Sequence, residues 1–232
     1  MKKIIKLVVF LIIIITLSAS IPFVVKGYKM YIVALNEVSI EEKKNEIQSK
    51  ESYTSLSELP QIYKDAVLAV EDHRYYKHGA IDIISIGRAI ITDIKAKEFV
   101  EGGSTITQQL AKNLYFSQKK EIERKIAEIF MAYEMERTLD KDTILELYLN
   151  SSYFGNGYYT VKQASRGYFK KEPKEMTSYE ATLLAGIPNA PSVYAPTKNL
   201  NLAKQRQKQV INKMVKYKYL TQEEANKILK ED

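Results

Sequence analysis

The 19 residues from Leu7 to Val25 carry no charge and are mostly aliphatic, and no other feature limits so tightly what this chain can fold into. As a helix rising 1.5 Å per residue the run would cover about 28 Å, close to the hydrocarbon thickness of a bilayer. A purely cytosolic soluble protein is thereby disfavoured. Ser18-Ala19-Ser20 offers a small-x-small cleavage pattern, but the apolar stretch exceeds the roughly 7 to 15 residues of a signal-peptide core, so the reading is a retained anchor. Lys2, Lys3 and Lys6 precede it, which predicts a cytoplasmic N-terminus and an external domain. The expected organisation is a cytoplasmic tail over 1–6, a transmembrane anchor over 7–25, a membrane-proximal connector over 26–56 and one domain over 57–232. The connector reads either as a solvated stalk or as an amphipathic segment resting on the membrane.

Setting those three lysines aside leaves 32 basic residues against 28 acidic ones. So small a surplus argues against a nucleic-acid binder and suits a surface that meets anionic head groups or phosphates. The chain has no cysteine, which excludes disulfide frameworks, Cys-based zinc sites and thiol nucleophiles. Its two histidines, His73 and His78, are too few for a His-rich metal site.

Beyond residue 56 the apolar period is helical. Ser57 reads as an N-cap, with Pro60 in the first turn and Leu59, Ile62, Ala66 and either Ala69 or Val70 facing inward, the helix ending near Glu71. Asp82 caps a second helix whose Ile83, Ile86, Ile90 and Ile94 are expected to face the core, and Gly102-Gly103 break the chain after it. Thr105 with Gln108 forms a capping box opening a third. In a fourth, Ile122, Ile126, Ile129 and Tyr133 share one face while Lys120, Arg124 and Glu128 share another. Further helices are expected at about Lys141–Leu149, Val161–Phe169, Tyr179–Ala185, Ala203–Lys216 and Gln222–Lys230. The fold class is mainly α.

Three segments carry chemistry. Glu71-Asp72 sits at a helix end beside Tyr75 and Tyr76, where the carboxylates are either a solvated terminus or include one partly desolvated base. Gly102-Gly103-Ser104-Thr105 runs into a helix N-terminus and so exposes backbone N–H groups to an anion, with Lys112 one turn beyond Gln108. This is no nucleotide P-loop, because no Gly-Lys-Ser/Thr follows the glycines. The face of Lys120, Arg124 and Glu128, with Lys125 adjacent, is either a salt-bridged surface or a cationic wall able to hold a diphosphate. Ser117-Gln118-Lys119-Lys120 matches Ser-x-x-Lys of penicillin-binding transpeptidases, but no Lys-Thr-Gly or Ser-Asp-Asn accompanies it.

In this order the segments resemble the family 51 glycosyltransferases, the peptidoglycan polymerases found as monofunctional transglycosylases and in class A penicillin-binding proteins. The resemblance covers about residues 55 to 232. It rests on Glu71-Asp72 through His78 and Asp82, on Gly102 to Gln109, on Arg124-Lys125-Ile126-Ala127-Glu128, on Tyr148-Leu149-Asn150 with Tyr153-Phe154-Gly155, and on Leu184 to Pro191. It implies a lysozyme-like, two-lobed helical domain behind a single-pass anchor, external to a bacterial cell membrane. It also implies polymerisation of lipid II into β-1,4-linked glycan with release of undecaprenyl diphosphate, by an inverting attack.

Carried over, Glu71 matches the general base and Glu128 the second essential carboxylate. Lys112 and Lys120 match diphosphate-binding positions, while Ser104, Gln108, Arg88 and Arg124 match positions that shape the cleft or touch the lipid-linked sugar. Tyr75 stands where the family commonly has Phe, and Ala80 where it commonly has Gly, which an alanine tolerates only if φ is not positive. The chain ends soon after these blocks, which points to the monofunctional type. Expected partners are lipid II, the lipid-linked glycan strand, the membrane and proteins of cell-wall synthesis or division. No cofactor is required, with a divalent cation, Mg or Mn, left open. The rival readings are a membrane-anchored lytic enzyme on the same polymer, which would need no diphosphate site, and a non-catalytic scaffold binding the cell-wall precursor.

Overall fold

The computed structural model describes residues 2–96, 102–117 and 121–231, and among them the chain is helical throughout, with no strand. In chain order the helices are α1 (Lys2–Glu37), α2 (Ile40–Gln48), α3 (Gln61–Glu71), α4 (Ile83–Ala96), α5 (Ile106–Tyr115) and α6 (Ile122–Thr138). They continue with α7 (Lys141–Leu149), α8 (Val161–Phe169), α9 (Ser178–Gly186), α10 (Pro191–Tyr194), α11 (Leu200–Lys216) and α12 (Gln222–Ile228).

The core gathers around α3. Its Tyr63, Ala66, Val67 and Ala69 are buried on several sides because the helix packs against both α9 and α11. Helices α5, α6 and α7 complete the body, with Ile106, Leu110, Met131, Met135, Ile144 and Leu147 shielded from solvent. Each such side chain contributes about 1.5–3 kcal/mol relative to leaving it exposed. Tyr75 is likewise buried, and its hydroxyl donates to the Lys141 carbonyl at 2.6 Å, so the atom that phenylalanine would lack is satisfied. Among the described residues positive φ outside glycine is confined to Asn156, Lys170 and Lys218, so Ala80 stands unstrained in its loop.

Several expected faces point elsewhere. Ser57 is not the cap of α3: Ser55 caps a short 3-10 turn at Leu56–Glu58, and Pro60, with its fixed φ, leads into Gln61. On α4, Ile83 and Ile94 are exposed, together with Ile84 and Ile91, while among the described side chains Ala89 turns inward; that of Ile90 lies outside the description. On α6 the buried face is Ala127, Met131, Ala132 and Met135, and Ile122 and Tyr133 are exposed. An apolar stripe specifies that something covers it, not what, and in α6 part of the stripe meets α1 rather than the core.

That contact reshapes the connector. Residues 26–37 extend α1, and Tyr28 and Tyr31 set their rings against Phe130 of α6 at 5.2 and 5.9 Å. At the crossing a Cβ on Gly27 would lie 2.7 Å from the Glu123 carbonyl oxygen and from Ile126, so only glycine lets the backbones approach this closely. In α2, Ile40 and Ile47 are buried in the same core. The segment read as a stalk or a membrane-resting helix is thus part of the folded body, because its tyrosines and isoleucines find apolar partners there. Among the described residues no helix is long and apolar enough to cross a membrane; the side chains of Val9, Ile12 and Ile13, inside the apolar run, lie outside the description. Leu7, Phe10, Ile14, Ile15, Leu17 and Ile21 are all exposed along α1.

Candidate active site

Two local devices hold the C-terminal end of α3 against the start of α5. Thr105 caps α5 and Gln108 returns the bond to the Thr105 N–H at 3.1 Å, completing the expected box. Asp72 then accepts the Ile106 N–H at 3.1 Å through Oδ2. Its other oxygen lies 2.7 Å from His78 Nε2, while His78 Nδ1 faces the Gly79 carbonyl at 2.7 Å. Both partners of the ring are acceptors, so both nitrogens must donate and His78 is an imidazolium. Burial opposes that charge, but the bonds to Asp72 and Gly79 outweigh it and raise the His78 pKa.

Asp82 lies beside this pair, and the three side chains bring one ligand atom each within 4.8 Å of one another. Their atoms are engaged already: Asp82 accepts from Arg74 at 2.9 Å, from the Ser85 hydroxyl at 2.6 Å and from the first N–H groups of α4. Burial works against the Asp82 charge, yet these donors bring its carboxyl down to about 2. With Arg74 and an imidazolium supplying the positive charge, the group is a clasp joining α3, α4 and α5.

The clasp positions Glu71 at the edge of a cleft of about 320 Å³. Glu71 Oε2 accepts the Gln109 amide at 2.9 Å, and Gln109 Oε1 faces the Tyr148 hydroxyl at 3.2 Å. Glu71 Oε1 is buried with no hydrogen-bond partner among the described residues. Around it the cleft carries Arg88 from α4, Lys112 from α5, and Arg206 and Lys213 from α11. Among the described residues one carboxylate stands among four cations, which makes an anion-receiving cavity. Lys112 has no ion-pair or hydrogen-bond partner among the described residues; burial lowers its pKa, and the Arg124 charge adds to the effect. Arg88 donates to His73 Nε2 at 3.3 Å, and His73 stacks on Tyr217 with ring centroids 3.8 Å apart. Burial first, then the Arg88 charge, pulls His73 down to about 4, so it stays neutral and can accept.

The other expected residues divide. Ser104 lines the cleft, and its hydroxyl accepts from Lys125 at 2.8 Å. Glu128 is only 2% exposed and is held between Arg124 and Lys125, the latter at 2.9 Å, rather than facing the cleft. Burial, then the charges of Arg124 and Lys112, brings Lys125 down to about 8, which places the three cations within one another's field. Gln108 is spent in the capping box, and its neighbour Gln109 occupies the cleft wall. Lys120, like Glu101, lies outside the described residues. Gln109, Lys125, Arg206 and Lys213 were not singled out as site residues from the sequence. Arg206 and Lys213 sit seven apart on one face of α11, but nothing local to them says that this face looks toward Glu71. Beyond Gln109, Lys112, Pro188 and Asn189 a second groove of about 490 Å³ adjoins the cleft, bordered by Tyr153 and Tyr159.

A family model described as transglycosylase matches residues 37–215. Penicillin-binding protein 1A of Neisseria lactamica is 40% identical over 185 residues, covering 80% of this chain and 23% of that protein. Penicillin-binding protein 1F of Bacillus subtilis is 45% identical over 171 residues, covering 74% of this chain and 24% of its own length. The chain therefore spans about a quarter of the curated relatives it matches. Among solved structures, penicillin-binding protein 1A of Haemophilus influenzae superposes with a TM-score of 0.45 at 24% identity, over 77% of this chain and 17% of that one.

Proposed function

The chain belongs to the transglycosylase family, and on that premise we propose that it is a peptidoglycan glycosyltransferase which polymerises lipid II. The observation that carries this reading is Glu71, whose unpartnered, buried Oε1 stands among cleft-lining cations. In the proposed step the 4-hydroxyl of the acceptor N-acetylglucosamine attacks the anomeric carbon of the donor N-acetylmuramic acid. Its proton passes to Glu71 Oε1, the carbon–oxygen bond to undecaprenyl diphosphate breaks, and the α-linkage inverts to β-1,4. A diphosphate is a good leaving group, so cations that receive its developing charge substitute for a strong general acid.

Lys112, with no ion-pair or hydrogen-bond partner among the described residues, is the proposed first contact of the diphosphate, with Lys125 and Arg124 behind it and Ser104 and Arg88 shaping the entrance. Glu128 serves by keeping Arg124 and Lys125 aligned. Lys120 remains a proposed member of this cationic wall. A divalent cation, Mg or Mn, would enter on the diphosphate's own oxygens, since the described cleft wall offers a single carboxylate. The uncharged run of α1 with its outward leucines, isoleucines and phenylalanines supports a single-pass anchor that keeps the cleft outside a bacterial cell membrane. Tethering would confine enzyme and lipid-linked substrate to one surface and raise their effective concentration.

The test is a lipid II polymerisation assay on the full chain. Glu71→Gln should abolish turnover while leaving substrate binding largely intact. Glycan made at near wild-type rate by that variant would remove Glu71 from the chemistry.

A further inference from the structure

We propose that Gln109 and Tyr148 are positioning residues that choose which oxygen of Glu71 receives the substrate proton. The inference rests on Glu71 being the base, as proposed above.

Gln109 lies between two groups with different demands. The Glu71 carboxylate only accepts, so it takes the amide Nε2–H, and the bond at 2.9 Å goes to Oε2. That leaves the carbonyl Oε1 of Gln109 turned toward α7, where the Tyr148 hydroxyl lies at 3.2 Å and donates. Tyr148 is 2% exposed, and burial, reinforced by the Glu71 charge, raises its pKa well above the ordinary phenol value. Its proton therefore stays in place at any pH the enzyme meets, and so does the orientation of the amide. An amide turned the other way would set its carbonyl oxygen against the carboxylate.

The consequence falls on Glu71. With one lone-pair direction of Oε2 committed to Gln109, the oxygen without a partner is Oε1, the buried atom at the cleft. The carboxylate is thus fixed in orientation before substrate arrives, and its two oxygens are made unequal. Among the described residues the titratable or charged groups around Glu71 are its neighbour Asp72, His73, Arg88 of α4, Lys112 of α5, Arg206 and Lys213 of α11, and Tyr148 of α7. Gln109 is distinct among these surroundings because it carries no charge, so its removal changes orientation and hydrogen bonding without altering the field.

The experiment measures kcat and KM for lipid II on the full chain, in wild type, Gln109→Ala, Tyr148→Phe and Glu71→Gln, with thermal stability followed in parallel. Gln109→Ala removes the amide that holds the Glu71 carboxylate in one orientation. Its kcat should fall about 10- to 100-fold with KM within about threefold of wild type, as expected for a group acting on the chemical step. Tyr148→Phe should lower kcat about three- to tenfold, again with KM nearly unchanged, the amide being less firmly oriented. Tyr148→Phe removes a single oxygen atom and keeps the ring, so it decides the matter if Gln109→Ala fails to fold. Variants whose kcat stays within about threefold of wild type, or whose kcat falls only in step with thermal stability or with a rise in KM, would overturn the positioning role. Should Glu71→Gln keep its activity, the base assignment itself fails, and the two failures are told apart.

Discussion

Asp72→Asn should destabilise the protein by an amount that depends on pH, because it removes the counter-charge of a histidine that the folded state keeps protonated to higher pH than the unfolded state does. Asp72 makes two bonds that a neutral amide cannot fully replace: the one with the His78 ring and the one from the Ile106 N–H at the start of α5. A hydrogen bond to a charged group contributes about 1.5–3 kcal/mol, and a negative charge at a helix N-terminus about 0.3–1 kcal/mol more. The expected loss at pH 6 is therefore about 2–4 kcal/mol, or about 4–8 °C in Tm for a chain of this size. The folded pKa of His78 is raised, so its contribution is fully present below the unfolded value of about 6.5 and is lost as pH climbs through the folded value. His73 works the other way. Its folded pKa of about 4 means that its contribution is full above about pH 6.5 and declines as pH falls toward 4. The chain has two histidines in all, so wild type should be most stable near pH 6.5 on their account, with each histidine contributing at most about 1.4 kcal/mol per pH unit on its own side. In the difference between wild type and Asp72→Asn the His73 part largely cancels. Denaturant titration of both proteins at pH 6 and pH 8 should then show the larger gap at pH 6. Equal gaps at the two pH values would refute the charged state assigned to His78.

Two further outcomes follow from the geometry. Gly27→Val places a Cβ 2.7 Å from the Glu123 carbonyl oxygen and from Ile126; overpacking of this kind costs about 1–3 kcal/mol, partly offset by the helix propensity lost at glycine. Thermal denaturation should show a Tm lower by about 2–6 °C, and an unchanged Tm would mean that α1 and α6 are not in contact. Lys112→Ala should lower kcat/KM for lipid II by about 10- to 150-fold, the worth of one charge-assisted contact; unchanged kinetics would take Lys112 away from the diphosphate.

How far the fold could be read in advance varied with the range of the cause. The box of Thr105 and Gln108, the Asp82 cap and the limits of α7 and α8 depend on neighbours three or four residues away, and the structure places them where the sequence did. The faces of α4 and α6 depend on which helix lies across from them, which a single sequence does not state. Hence Ile83 and Ile94 proved exposed, and Ile126 lies over Gly27. The site followed the same division. Glu71, Lys112 and Ser104 occur in short ordered blocks and meet in the cleft, whereas Arg206 and Lys213 arrive from a helix 135 and 142 residues beyond Glu71, outside any local pattern. Gln108 and Gln109 are chemically identical neighbours, and only the helix phase decides that the first caps and the second faces Glu71.

The crossing of α1 over α6 sets an altitude. With the apolar run in the bilayer, as proposed, Gly27 stands two residues beyond Val25 and so only about 3 Å above the hydrocarbon boundary. It is there that it meets Glu123 and Ile126, the same turns of α6 that carry Arg124 and Lys125. The cations proposed for the diphosphate would thus float level with the lipid head groups, where a polyprenyl diphosphate already carries its phosphates. Substrate would need only to glide sideways within its own leaflet, and the finished sugar strand alone would climb away from the surface.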